Sequence, residues 1–513
     1  MTAVSSNATP LKTIRLRGFT LASVIIALML SLFLEALDQT IVGTAMPRII
    51  AQLHGLDRYT WVVTAYVLAS MTMIPIVGKL SDQFGRKGFL LGGTTLFLLG
   101  SLLAGASQTM DQLILFRALQ GLGAGIGMAL VATVIGDLFE PAERAKWSSL
   151  FGIVYGVSNL FGPTLGGWLV EHGPLVGSLV SESSRWRWVF YINLPVGILA
   201  VVALLFCLPA NLSVRTGQGA GWAAVRHIDF LGAVISAVAT ICLMLGLTWG
   251  SSQTFAWSSP QVLGMLAVGV VLFALFLFAE RKAREPILPL DLFRNQVFSV
   301  AALLTMLQMM VLLGLSLYLP LFLQGVLAVS PTIAGMVMTP LSLSMVLGAM
   351  LAGPIIGVFK RHQLILILGA LLMAAGSFLL TLMTPATGLF QAILYMILVG
   401  IGTGSFFALG PVAQNAVPVS RLGVSTAATR YLGQLGATLG IAIVGTVVNS
   451  GVSGDLTRHL PTDQVGKLLL SSAIQHGFVA VLIFAVIALL ATFFLKDAPI
   501  VTTPKSGELT HVG

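Results

Sequence analysis

Three charged residues stand inside apolar runs long enough to cross a membrane, and they are of the types that hold or move protons. Glu35 and Asp38 lie three residues apart in a run near 18 to 46, and Arg117 lies in a run near 111 to 136. Residues three apart share one face of a helix. Two carboxyls at that spacing in a medium of low polarity resist double ionisation, which brings one of them towards neutrality as a proton site. Arg117 is about six residues inside the outer end of its run, roughly 9 Å deep at 1.5 Å per residue, and Asp38 comes to a similar depth. A guanidinium there is costly unless paired or wetted, so both acids are candidate partners. The same three residues would also serve as a plain tie between helices beside a wet cavity. No Asp or Glu occurs between Asp291 and Asp455, and the seven histidines fall in loops or at the edges of apolar runs. Coupled protons therefore point to Glu35 and Asp38, with Asp229 next in line.

The elements that position these residues follow from composition. Of 513 residues, 57% are hydrophobic and 9% charged, and the mean hydropathy is +0.97. A soluble domain carries roughly 25% charged residues, so a water-soluble fold is excluded. At about 20 apolar residues per span, spans fall near 18 to 46, 60 to 78, 88 to 107, 111 to 136, 147 to 170, 188 to 208, 228 to 250 and 260 to 280. Six more fall near 297 to 323, 331 to 358, 363 to 383, 388 to 416, 422 to 450 and 473 to 495. Fourteen spans put both ends on one side. With that side inside, 19 of the 27 Lys and Arg lie in inner segments, the positive-inside pattern of a multi-pass protein of the cytoplasmic membrane. The net charge of +9 thus reports topology, and no nucleic-acid partner is expected. Cys207 and Cys242 lie in apolar stretches and offer neither a disulfide framework nor metal-ligand spacing.

The chain also repeats itself. LFRALQGLGAG (115 to 125) aligns with LYMILVGIGTG (394 to 404) at an offset of 279, and GPTLGG (162 to 167) aligns with GATLGI (436 to 441). Two halves in the same orientation are expected. The organisation expected is a cytoplasmic tail (1–17), a six-helix bundle (18–208), a linker with two extra helices (209–296), a second six-helix bundle (297–495) and a cytoplasmic tail (496–513). The extra pair is expected to pack outside the twelve-helix core. A polar outer loop is expected over 450 to 472.

Two further segments carry pattern. GKLSDQFGRK (78 to 87) reads as a short inner loop in which Gly78 and Gly85 permit tight turns. There Asp82, Arg86 and Lys87 can pair with helix ends or with a carboxylate such as Asp137. An ordinary basic loop would look the same. GIVYGVSNLFGPTLGGWL (152 to 169) places Gly156, Gly162, Pro163, Gly166 and Gly167 in one span, which lets the helix bend and approach a neighbour closely.

The order of residues in 78 to 87 resembles the signature loop of the major facilitator superfamily, which implies a conformational latch. The glycine and proline segment resembles the antiporter motif of its exporters. LDQTIVGTAMP (37 to 47), LILFRALQGLGAG (113 to 125) and WRWVFYINLPVG (186 to 197) resemble the fourteen-helix drug:proton antiporters that include quaternary-ammonium and multidrug exporters. In the second half, ATRYLGQLGATLG (428 to 440) places Arg430 where facilitators carry an arginine early in the eleventh helix. Some members have a further carboxylate in the second bundle, and this chain has none.

The resemblance implies an all-α membrane protein that exports lipophilic drugs, cationic ones included, in exchange for protons. The alternative keeps the fold and exports one metabolite, antibiotic, siderophore or lipid. A membrane enzyme is disfavoured, because the spans hold no histidine cluster, nucleophile triad or phosphate loop. No cofactor is expected besides the proton gradient, and the expected partners are a small lipophilic substrate, protons and membrane lipids around a monomer. Polar residues within spans that could line a substrate cavity are Gln39, Tyr66, Tyr155, Asn159, Gln308, Tyr318, Tyr395, Asn415, Arg430 and Gln434.

Overall fold

In lipid every backbone N–H and C=O must be satisfied within the chain, so long apolar runs become helices. The computed structural model describes residues 18–138, 141–177, 180–209, 230–251, 255–282, 288, 290–359, 362–417, 422–451 and 463–496. The tails, Asp229 and residues 452–462 of the expected outer loop lie outside the described residues.

The first group of helices comprises α1 (Gly18–Leu53), α2 (Tyr59–Phe84), α3 (Arg86–Ala106), α4 (Met110–Leu138), α5 (Pro141–His172) and α6 (Asn193–Cys207). Next come α7 (Phe230–Ser251) and α8 (Pro260–Lys282). The last group is α9 (Gln296–Gly325), α10 (Pro331–Phe359), α11 (His362–Thr381), α12 (Leu389–Ser405), α13 (Leu422–Ser450) and α14 (Gln464–Thr492). Among the described residues, eleven helices are long and apolar enough to cross a membrane, while α2 and α7 contain shorter apolar stretches. Large side chains such as Phe206, Phe390 and Leu115 stand exposed on the outer surface, as lipid-facing positions require. The side bearing the basic segments is termed inner.

Three boundaries differ from expectation. The presumed loop at 78 to 87 is almost all helix: α2 runs to Phe84, and Gly85 alone breaks the chain before Arg86 begins α3. With φ 92° and ψ 146°, Gly85 occupies backbone space that side chains rarely adopt. α14 starts at Gln464, because Asp463 caps the backbone N–H of Gly466 at 3.1 Å and starts the helix early. The sixth run divides at Ile192 into a turn, Trp188–Tyr191, and α6.

Glycine contacts display the repeat in space. Gly121 and Gly125 of α4 press on the backbone of Tyr66 and Ser70 in α2, while Gly400 and Gly404 of α12 press on Leu341 and Met345 in α10. Gly123 meets Gly93 and Phe97 of α3, as Gly402 meets Gly369 and Met373 of α11. Without a hydrophobic drive between helices in lipid, such close backbone approach supplies much of the packing.

The two groups touch through α5 with α10, α1 with α9 and α2 with α13. The described hydrogen bonds between them lie towards the outer ends: Thr164 to Thr339 at 2.6 Å, Gln324 to the Thr44 carbonyl at 2.8 Å, and Tyr59 to the Leu317 carbonyl. The Thr332 N–H also donates to Glu171 at 3.3 Å. α7 leans on both α2 and α13, with Trp61 donating to Thr248 at 3.2 Å and Phe276 of α8 beside Tyr431. The extra pair thus lies along the boundary between the groups.

Because the Thr164–Thr339 contact closes the outer side, Thr164→Cys with Thr339→Cys is expected to form a disulfide that stops transport. Reduction is expected to restore it, and full transport by the oxidised protein in a vesicle assay would contradict an outer seam that must open.

Candidate functional site

The site begins with Arg117. It donates to Asp38 Oδ2, to Gln120 Oε1 at 2.7 Å and to the Val62 carbonyl at 3.2 Å, and its guanidinium lies 4.2 Å from the Tyr66 ring centroid. Asp38 Oδ1 accepts from Gln120 at 2.8 Å and from Asn193 at 3.2 Å. Asn193 also donates to Ser101 Oγ at 3.0 Å, and Ser101 donates to the Phe190 carbonyl at 2.8 Å. Asp38 is 0% and Arg117 1% exposed, so the protein replaces the water that both charges have lost. Of the two candidate partners, Arg117 takes Asp38.

Gln120, Asn193 and Ser101 are absent from the sequence expectations. Gln120 could have been found, since it follows Arg117 by three residues on the same face. The role of Asn193 depends on how α6 docks. Tyr66, expected in the cavity, instead lies under Arg117 because α2 is drawn against Gly121 and Gly125.

Glu35, one turn towards the inner end, differs. It is 3% exposed, and its Oε2 has no hydrogen-bond partner among the described residues. A methyl at Gly127 of α4 would lie 1.6 Å from its Oε1, so Gly127 makes the room that the carboxyl occupies.

The glycine and proline segment works on two faces. Gly162 and Gly166 press on Thr40, Ile41 and Thr44 of α1, whereas Gly167 meets Pro331 of α10, and Gly335 meets Pro163. Gly156 comes near Val346 at 3.7 Å. One face holds α5 to its own group, and the face beside it meets the other group. At the inner end Arg86 donates to Ser81 at 3.2 Å, and Lys87 donates to the Leu205 carbonyl at 2.6 Å. A cation thereby meets the carboxy-terminal end of α6, where the helix dipole favours it. The surroundings of Gly78 and the side chains of Asp82, Asp137 and Tyr155 lie outside what is described.

Close glycine contacts mark the faces through which the two groups meet. Gly43 of α1 meets Ser316 of α9, Gly335 of α10 meets Pro163 of α5, and Gly445 of α13 meets Thr60 of α2. One turn further in on α1 is Gln39, and one turn further in on α5 is Asn159, both half-buried. Several turns in on α13 are half-buried Gln434 and exposed Arg430. By register, these four expected cavity residues lie on the helix faces that carry those contacts. Gln308 does not, being buried and donating to the Thr403 carbonyl at 2.8 Å. Nor does Tyr318, which is buried 5.5 Å from Tyr59 in the outer seam. Tyr395 is half-buried, Asn415 is exposed at the end of the short helix Leu409–Asn415, and no contact brings either to the cleft.

A sequence model described as Major Facilitator Superfamily matches residues 28–441. Multidrug transporter protein MdtP of Bacillus subtilis (strain 168) is 37% identical over 440 residues, covering 85% of this chain and 77% of that protein. Multidrug resistance protein 3 of the same organism is 34% identical over 513 residues, covering 94% and 96%. Efflux pump dotC of Dothistroma septosporum (strain NZE10 / CBS 128990) is 32% identical, covering 96% and 87%. Among solved structures, an inward-facing bacterial homolog of the human lysosomal transporter Spinster superposes with a TM-score of 0.67 at 16% identity, covering 95% of this chain and all of that one.

Asp38→Asn leaves Arg117 buried without a counter-charge and is expected to cost about 3–5 kcal/mol. Asp38→Asn with Arg117→Met is expected to cost clearly less than the two single losses added together. Unfolding of the purified variants in detergent measures both, and simple additivity would show that the pair does not act as a unit.

Proposed function

Because the chain belongs to the major facilitator superfamily, we propose that it exports lipophilic small molecules by alternating access in exchange for protons carried by Glu35. It is a multi-pass membrane transporter and not an enzyme, and relatives named multidrug transporter and efflux pump support export. The finer reading is a fourteen-span drug:proton antiporter of the cytoplasmic membrane. Its spans are the eleven long apolar helices with α2, α5 and α7, and both ends lie inside as the basic segments indicate.

The observation that carries the coupling is the unequal treatment of two carboxyls one turn apart. Asp38 has a guanidinium and two amide donors, whereas Glu35 is buried with an oxygen that has no partner among the described residues. An ionised carboxylate so placed costs several kcal/mol, and the neutral acid costs far less. Asp38 and Arg117 then form a fixed pair. Glu35 takes a proton when the cleft opens outward and yields it when the cleft opens inward.

Rocking of the two groups needs seams that part without leaving buried charges behind. The pairs Gly167 with Pro331 and Gly335 with Pro163 meet through backbone and small side chains, which suits such a seam. The break at Gly85 and the grip of Lys87 on α6 suit a latch on the inner side. Cationic cargo has less support than lipophilic cargo, since Asp38 is committed to Arg117 and both Glu35 and Glu280 are buried.

Efflux of ethidium and of neutral lipophilic dyes from proteoliposomes under an imposed pH gradient tests the proposal. Glu35→Gln is expected to lose gradient-driven efflux at least tenfold while unfolding at the wild-type temperature, and Gly127→Ala to share the defect by displacing the carboxyl. Wild-type rates in Glu35→Gln would remove Glu35 as carrier. Efflux of no dye by folded wild type would favour a single dedicated cargo in the same fold.

A further inference from the structure

Arg430 lies eight residues from the inner end of α13, about 12 Å along the axis at ~1.5 Å per residue. That depth places it beneath the polar surface of a membrane whose hydrocarbon core is ~30 Å thick. It is exposed, and among the described residues it makes no ion pair or hydrogen bond. An exposed guanidinium at such depth must face either lipid or a wet cavity, and only the second is sustainable.

Register selects the cavity. Following the face of Arg430 outward along α13 leads to Gln434, half-buried, then to Ile441, buried, and to Gly445, which meets Thr60 of the other group. The face that seals against the first group at the outer end is therefore the face that carries Arg430 into the cleft. Lipid is not on that side, because α9 flanks it through Gly433, Gly436 and Gly440, and α7 and α8 flank it near Tyr431.

Nothing on the second group neutralises this charge, since no Asp or Glu occurs between Asp291 and Asp455, and Glu280 of α8, near Tyr431, is buried and accepts from the Leu288 N–H at 3.1 Å. Across the cleft, Asp38 is committed to Arg117 and Glu35 is buried. The neutral amides Gln39 and Asn159 complete the polar lining. Arg117 has its own anion, whereas Arg430 faces a cavity and awaits one.

We propose that Arg430 binds an acidic group of the cargo, so that the exported molecules are lipophilic anions bearing a carboxylate or sulfonate. This rests on the export reading above for the word cargo, while the binding site itself does not. A guanidinium receives a carboxylate through two parallel N–H donors, a geometry that an ammonium cannot reproduce. Methionine and aliphatic side chains around the cleft would receive the apolar body.

Three probes that share one ring system separate head group from body: pyrenebutyrate, its methyl ester and pyrenebutylamine. Binding to purified protein in a non-ionic detergent without phospholipid is followed by pyrene fluorescence, for wild type, Arg430→Gln and Arg430→Lys. Wild type is expected to bind the carboxylate at least tenfold tighter than the amine. Arg430→Gln is expected to lose that preference while binding the ester as before, and Arg430→Lys to keep part of it. Equal affinity of wild type and Arg430→Gln for pyrenebutyrate would overturn the proposal, as would preference for the amine or binding of no probe. Efflux of pyrenebutyrate from proteoliposomes is measured separately. Arginine-dependent binding without efflux would preserve the anion site and sink the export reading.

Discussion

The contact between Asp38 and Arg117 constrains almost everything around it. Two opposite charges without water persist only if the protein fills every remaining hydrogen-bonding position, and here the filling comes from most of the first group. Asp38 belongs to α1, Arg117 and Gln120 to α4, Val62 and Tyr66 to α2, Ser101 to α3 and Asn193 to α6. Five helices thus share one small network. α5 stands apart from it and is held to α1 by the close approach of Gly162 and Gly166. That division makes α5 the element of the first group with a face to spare for the other group.

The second group repeats the packing without the chemistry. Its glycines on α12 press on α10 and α11 as those of α4 press on α2 and α3. At the offset of those repeats, however, the place of Arg117 is taken by Met396 and that of Gln120 by Val399, both buried. One half is held by a polar network whose parts must all be present, the other by apolar contact and backbone proximity. Within its spans the second group carries Arg430, which is exposed rather than packed into its core.

Apart from Glu171 at its outer edge, the boundary between the groups is made largely of small and neutral residues. Separating Gly167 from Pro331, or Thr164 from Thr339, exposes groups that water satisfies readily, so neither open state leaves a charge stranded. Of the extra pair, α7 lies against α2 and α13 along one side of this boundary, and α8 adds the contact of Phe276 with Tyr431.

Much was legible in the sequence because a membrane reduces the physical problem. The apolar runs had to be helices, basic residues marked one side, and charges within spans had to matter because burying them is expensive. The repeat of Gly121, Gly123 and Gly125 at 279 residues already implied two similar halves. Single-residue effects were not legible. A left-handed glycine turns 78 to 87 from a loop into two helices with one break, and a capping aspartate moves the start of α14. Polar residues also read alike in a sequence, whether they line a cavity or tie helices together. Gln39, Asn159, Gln434 and Arg430 share helix faces with the contacts to the other group, while Tyr66, Gln308 and Tyr318 are buried in packed contacts, and only the rotation of each helix about its axis decides between them. The choice of Asp38 over Glu35 as the partner of Arg117 has the same origin: the two acids share a helix face, and the docking of α4 and α6 determines which one meets the donors.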